Sequence, residues 1–153
     1  MSRKSAGILA WRADGNAIKV LLVHPGGPFF SKKDAGAWSI PKGEYNEDED
    51  PLMAAKREFA EELGSGIAGV FTPLGSIKQK GGKAVSAWAV ETNFDTSGFT
   101  SNTFSLEWPP RSGKMKEFPE VDKAEWFSLA EGKEKINPAQ VEFIDLLEHI
   151  VNG

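Results

Sequence analysis

A chain of 153 residues, 40% hydrophobic and 26% charged, has the size and balance of one globular domain with a proper core and is short for two. A single domain over 1–153 is therefore expected. The formal charge of −4 argues against nonspecific nucleic-acid binding, and the lack of cysteine excludes a disulfide framework, a thiolate nucleophile and a cysteine-rich zinc site.

In chain order, Ser5 to Trp11 and Ala17 to Val23 are apolar, partly β-branched runs separated by Asp14-Gly15-Asn16, which predicts a β-hairpin. Met1-Ser2-Arg3-Lys4 precedes only this short strand-like stretch, and no run approaches the roughly 18 apolar residues of a membrane span. The expected location is cytoplasmic. Glycines and prolines mark Pro25 to Ala37 as a long loop, and Trp38-Ser39-Ile40 reads as a short strand leading into Pro41-Lys42-Gly43.

A helix follows. Asp50 can cap it, Pro51 suits its first position, Leu52 to Leu63 holds no further proline or glycine, and Gly64 can take the left-handed conformation that ends it. At about 100° per residue, Glu58, Glu61 and Glu62 form one stripe, and Leu52, Ala55, Phe59 and Leu63 form the next. The like-charged pair Glu58 and Glu62, at i,i+4, opposes helix formation by a few tenths of a kcal/mol. A hard divalent cation with oxygen ligands would repay that repulsion and leave room for substrate phosphates. A solvated acidic face is the plainer alternative.

Beyond the helix, Val70 to Lys80 and Ala84 to Glu91, joined by Gly81-Gly82, predict a second hairpin. Asp95 to Lys116, rich in Ser, Thr, Pro and Gly, reads as a functional or capping loop, and Trp108-Pro109-Pro110-Arg111-Ser112-Gly113 cannot be a central strand. Ala124 to Phe127 suggests a last strand. Asn137-Pro138-Ala139-Gln140 supplies a cap, a first-position proline and a capping-box glutamine ahead of Val141, Ile144, Leu147 and Val151 at helical spacing. His149 falls in this helix as a surface or packing residue, and with His24 far from it in sequence, zinc chemistry is disfavoured. Strands with one central and one terminal helix predict an α/β (α+β) domain, a mixed sheet covered by helices.

The full spacing runs Gly43, five residues, Glu49, seven residues, then Arg57-Glu58-Phe59-Ala60-Glu61-Glu62-Leu63-Gly64. It resembles the signature of the Nudix hydrolases at every fixed position but the last hydrophobic one, which is Ser65 here. The resemblance implies the Nudix α/β/α sandwich, with the signature as a catalytic loop-helix-loop and a C-terminal helix. It implies a pyrophosphohydrolase that uses Mg²⁺, or Mn²⁺, to cleave a diphosphate linkage by attack of water at phosphorus. Carried over, Glu58, Glu61 and Glu62 hold the metal with the Gly43 carbonyl, one of the glutamates (Glu58 and Glu61 foremost) serves as base, and Arg57 pairs with Glu49. Glu120 is the candidate for a further acidic ligand, with Glu117 and Glu107 as alternatives.

Phosphates beyond the metal need cations, and Lys42 together with one of the hairpin lysines Lys78, Lys80 and Lys83 is expected to serve. Trp38 and Phe30 are candidates to stack on a base, while strand alternation assigns Trp88 to packing. Trp38-Ser39-Ile40-Pro41-Lys42-Gly43 resembles the lead-in of family members acting on dinucleoside or diphosphoinositol polyphosphates. The expected partner is a small nucleotide or other diphosphate, with no membrane and no nucleic acid, and a homodimer is left open. A non-catalytic nucleotide sensor and an RNA 5′-end pyrophosphohydrolase are the competing readings.

Overall fold

The computed structural model describes residues 3–152, and of Lys80 the backbone alone. β1 (Lys4–Asp14) and β2 (Ala17–Pro25) form the first hairpin, and a short β3 (Lys42–Glu44) pairs with the start of β1. β4 (Phe71–Lys78) and β5 (Ala84–Glu91) form the second hairpin around a single 3₁₀ turn, and β5 lies parallel to β1. With β8 (Val121–Ser128) on the far side of β2, the strand order is β4-β5-β1-β2-β8. One parallel pairing among antiparallel ones makes the sheet mixed.

Both faces of this sheet are covered, which is why β1 and β2 carry near-continuous apolar runs instead of a clean alternation. One face packs Ala6, Ile8, Ala10 and Leu21 against Ala54, Ala55, Phe59 and Leu63 of α1 (Pro51–Leu63). The other packs Leu9, Val20, Leu22 and Val85 against Phe143, Ile144 and Leu147 of α3 (Val141–Asn152). Burying each large side chain of this kind is worth about 1.5–3 kcal/mol, so the apolar stripe of α1 holds the helix whatever its acids cost. The expected sandwich is present.

Both ends of α1 follow the sequence. Asp50 accepts the Met53 N–H at 3.0 Å, Pro51 opens the helix, and Gly64 closes it with φ 79°. Ser65 is exposed, so a polar residue costs nothing where the signature has a hydrophobic one.

Four expectations are corrected. Trp38 to Ile40 makes only isolated bridges, Ser39 to Val23 and Trp38 to Ile136, and regular pairing begins at Lys42 because Pro41 has no N–H to continue a ladder. The 95–116 loop contains strand β6 (Thr103–Glu107), which pairs with β7 (Met115–Pro119) in a separate hairpin whose tip is the proline-rich stretch. Five-residue strands amid turn-forming residues give too short an alternation to read. A helix α2 (Leu129–Lys135), capped by the Ser128 hydroxyl, lies ahead of α3 where none was expected. Gln140 ends a 3₁₀ turn, Pro138–Gln140, and is fully buried, its amide turned to the sheet instead of closing a capping box.

Candidate active site

The signature folds into one acidic wall. Arg57 forks onto Glu49, Nε to one oxygen at 2.9 Å and Nη2 to the other at 3.0 Å, while Nη1 donates to Glu58 at 2.9 Å and to Glu61 at 3.3 Å. The loop carboxylate and two helix carboxylates are thus gathered on one guanidinium, whose planar fork suits this task where an ammonium would not. The fork holds Glu49 below the usual carboxylate range and Arg57 above its ordinary value.

Glu58 is 9% exposed at the boundary between core and acidic stripe. Its carboxyl lies where a side chain on Gly43 would begin: a Cβ there would stand 2.1–2.3 Å from the three carboxyl atoms. A side chain there would displace that carboxyl. β3 holds Gly43 opposite Ala6, and α1 packs across both, so the contact follows from the sheet as well as from the loop.

Glu62 faces a cavity of about 260 Å³ whose lining includes Lys42, Phe30, Trp38, Gln79, Glu120 and Asn137. Glu120 therefore joins the acidic wall from the opposite side of the sequence. A chain of backbone hydrogen bonds places it: Gly26 N–H to Glu120 O at 3.0 Å, Glu120 N–H to Asn102 O at 2.8 Å and Asn102 N–H to Glu61 O at 2.8 Å. The alternatives take other places. Glu107 accepts the N–H groups of Arg111 and Gly113 at the hairpin tip, and Glu117 is exposed on the hairpin's outer face.

Burial and mutual repulsion raise three of these carboxyls. Glu58 is raised by burial and then by Glu61, Glu120 by burial and then by Glu61, and Glu62 is pushed up to about 8 by burial, with Glu58 and Glu120 adding to it and Lys42 opposing. Lys42, buried and near Lys83, is lowered. Excess negative charge held out of water with only oxygen donors is the donor chemistry of a hard divalent cation, and the residues fit such an ion. Among the described residues no group of three or more His, Cys, Asp or Glu is arranged to hold a metal ion as it stands.

Other expected site residues fall unevenly. Trp38 lines the cavity but is 3% exposed, packed edge-on against His24 and Phe127 with its N–H on Asp34, so it is a fixed wall and not a free stacking ring. Phe30, 37% exposed, lines the cavity with the Lys33 ammonium over its ring at 5.6 Å from the centroid. Lys83 pairs with Glu44 at 3.4 Å, Lys78 is exposed on β4, and the Lys80 side chain lies outside the described residues. Trp88 packs against the α1 side of the core, as alternation predicts. Neither histidine joins the glutamates: His149 is exposed, and His24 is buried between Asp122 at 2.8 Å and the Lys33 carbonyl at 2.7 Å. Sequence reasoning missed Gln140, whose Oε1 accepts the Ile40 N–H at 3.1 Å and steadies the lead-in to Lys42 and Gly43. The only local signal, a cap ahead of a helix, pointed elsewhere.

Comparison with known proteins agrees with this fold. The NUDIX domain model matches residues 1–147. A Caenorhabditis elegans Ap4A hydrolase, solved as a binary complex, superposes with a TM-score of 0.69 at 19% identity over 97% of this chain and 98% of its own. The NUDIX domain of Shewanella oneidensis NrtR, complexed with ADP ribose, gives 0.70 at 15% identity over 99% and 89%. RenU, a Nudix hydrolase from M. smegmatis, gives 0.62 at 18% over 97% and 85%. No curated relative matches the chain in sequence. The chain belongs to the NUDIX domain family.

Proposed function

We propose that this NUDIX-domain chain is a divalent-metal-dependent pyrophosphohydrolase of nucleoside diphosphate derivatives, cleaving a nucleoside triphosphate or a dinucleoside polyphosphate. The carrying observation is the cavity that places Glu62, Glu120 and Lys42 in the same lining as Trp38 and Phe30. Carboxylates suit a metal-bridged diphosphate, and the aromatic wall suits a base. That the named relatives are an Ap4A hydrolase and a domain complexed with ADP ribose supports a nucleotide substrate.

A bound Mg²⁺ or Mn²⁺ would neutralise phosphate charge and acidify a water. Glu58, Glu61 and Glu62, with the Gly43 carbonyl and Glu120 facing them, would hold it. Arg57 keeps Glu58 and Glu61 oriented through its fork on Glu49, and Lys42 supplies positive charge to the phosphates. Whichever helix glutamate is left off the ion would take the proton of the attacking water.

The test is turnover of nucleotides, dinucleoside polyphosphates, nucleotide sugars and triphosphorylated RNA with Mg²⁺. Glu61→Gln and Glu62→Gln are expected to keep the fold and lower turnover roughly 10²-fold or more. Near wild-type turnover in both variants removes the site assignment, and no product from any compound leaves a nucleotide sensor.

A further inference from the structure

The β6–β7 hairpin has a use the active site does not absorb. Pairing puts Phe104 opposite Phe118 and Leu106 opposite Lys116, so these four share one face, while Ser105, Glu107 and Glu117 share the other. The first face packs on the loop after β2. Gly27, at φ 97°, lets the chain approach until a Cβ would stand 2.9 Å from Phe104, and the next residue but one, Phe29, meets Trp108 edge to face at 5.6 Å. Phe29 remains 59% exposed, and neither ring belongs to either core. Phe30, beside it, lines the cavity. An aromatic path therefore runs from the cavity mouth to the hairpin tip.

Charge on the same two segments is one-sided. Among the described residues, Lys32, Lys33, Arg111, Lys114 and Lys116 have no carboxylate at ion-pair distance; apart from Lys42 in the cavity, the other unpaired lysines, Lys4, Lys56, Lys78 and Lys123, stand singly on β1, α1, β4 and β8. The acids that might oppose them are engaged or averted: Asp34 is bound by Lys135 and Trp38, Glu107 by the tip N–H groups, and Glu117 lies on the outer face. A chain of net charge −4 thus presents an unneutralised basic rim interleaved with exposed rings, beside a site for phosphates. Such rims attract phosphates and stack bases.

We propose that Phe29 and Trp108, with Lys33, Arg111 and Lys116, form a second subsite that holds the distal nucleoside and the intervening phosphates of a dinucleoside polyphosphate. The inference rests on the proposed pyrophosphohydrolase reading and narrows it. Two short segments and one aromatic pair match one further ring on a polyphosphate tether. A longer nucleic-acid strand would want a basic track continuing past the tip, and the remaining unpaired lysines, Lys4, Lys56, Lys78 and Lys123, are scattered over β1, α1, β4 and β8.

The experiment compares diadenosine tetraphosphate with ATP, by kcat/KM and by calorimetric binding with Ca²⁺, in wild type, Trp108→Ala, Phe29→Ala and Lys116→Gln. The expected result is about a tenfold fall in preference for the dinucleotide, carried by KM, from loss of one stacking contact, with Trp108→Phe restoring most of it. An unchanged preference, or an equal loss for both compounds, overturns the subsite. So does a larger loss for a triphosphorylated oligonucleotide than for the dinucleotide. If wild type turns over neither compound but its calorimetric preference still disappears in Trp108→Ala, the subsite stands and the hydrolase reading fails.

Discussion

The Glu58 carboxylate occupies the space in which a Cβ on Gly43 would lie, 2.1–2.3 Å away. The signature glycine is thereby tied to the signature glutamate by volume, not only by backbone freedom. Gly43→Ala is expected to push the Glu58 side chain aside, weakening divalent-ion binding and lowering turnover at least tenfold. Its thermal midpoint should move little, since Glu58 can swing outward. Calorimetric titration with Mn²⁺ and a thermal melt check both halves.

Arg57 serves Glu49, Glu58 and Glu61 at once, which a lysine cannot reproduce. Arg57→Lys and Glu49→Gln are each expected to lower turnover by about tenfold or more, and the double variant should fall well short of the product of the two losses, because both remove one fork. Multiplying losses in steady-state kinetics would show that the fork is not the shared cause.

Without metal, the acidic wall should make stability depend on pH. Glu62 titrates near the ordinary 4.5 when unfolded and at about 8 when folded, mainly through burial and then through Glu58 and Glu120. Between those values the folded state holds the extra proton, so stability falls as pH rises from about 4.5 to 8. Glu58 and Glu120 are raised too and act in the same direction. Melts in chelator at pH 5.5 and 8.5 should give the lower midpoint at 8.5, and added Mg²⁺ should recover more of it there. A midpoint that rises with pH in chelator would contradict the buried, mutually repelling carboxyls.

Gln140 is fully buried and accepts the Ile40 N–H. Gln140→Leu leaves that donor unsatisfied, a cost of about 1–3 kcal/mol, and loosens the lead-in to Lys42 and Gly43. Denaturant unfolding should register the loss, and turnover at saturating metal should fall with it. An unchanged unfolding midpoint would mean that another acceptor replaces the amide.

What could be read without coordinates was local. The limits of α1 follow from Asp50, Pro51 and Gly64, its acid and apolar stripes from the helical period, and the Arg57–Glu49 pair from the family resemblance that the signature carries. Both sheet hairpins announced themselves through apolar runs and the turn residues between them. The β6–β7 hairpin and α2 did not, being short and set among turn-forming residues.

The sequence by itself determined the capped helix, the carboxylates it carries and the family to which that spacing belongs, because each depends on residues within a few turns of one another. Only the tertiary structure decided that Glu120 joins Glu62, that Trp38 is packed as a wall, that Gln140 secures Ile40, and that Phe29 meets Trp108. Those relations bridge distant segments through backbone hydrogen bonds and close packing, such as the series from Gly26 through Glu120 and Asn102 to Glu61. No local propensity encodes such a series, since each link exists only once the sheet has brought its partners together.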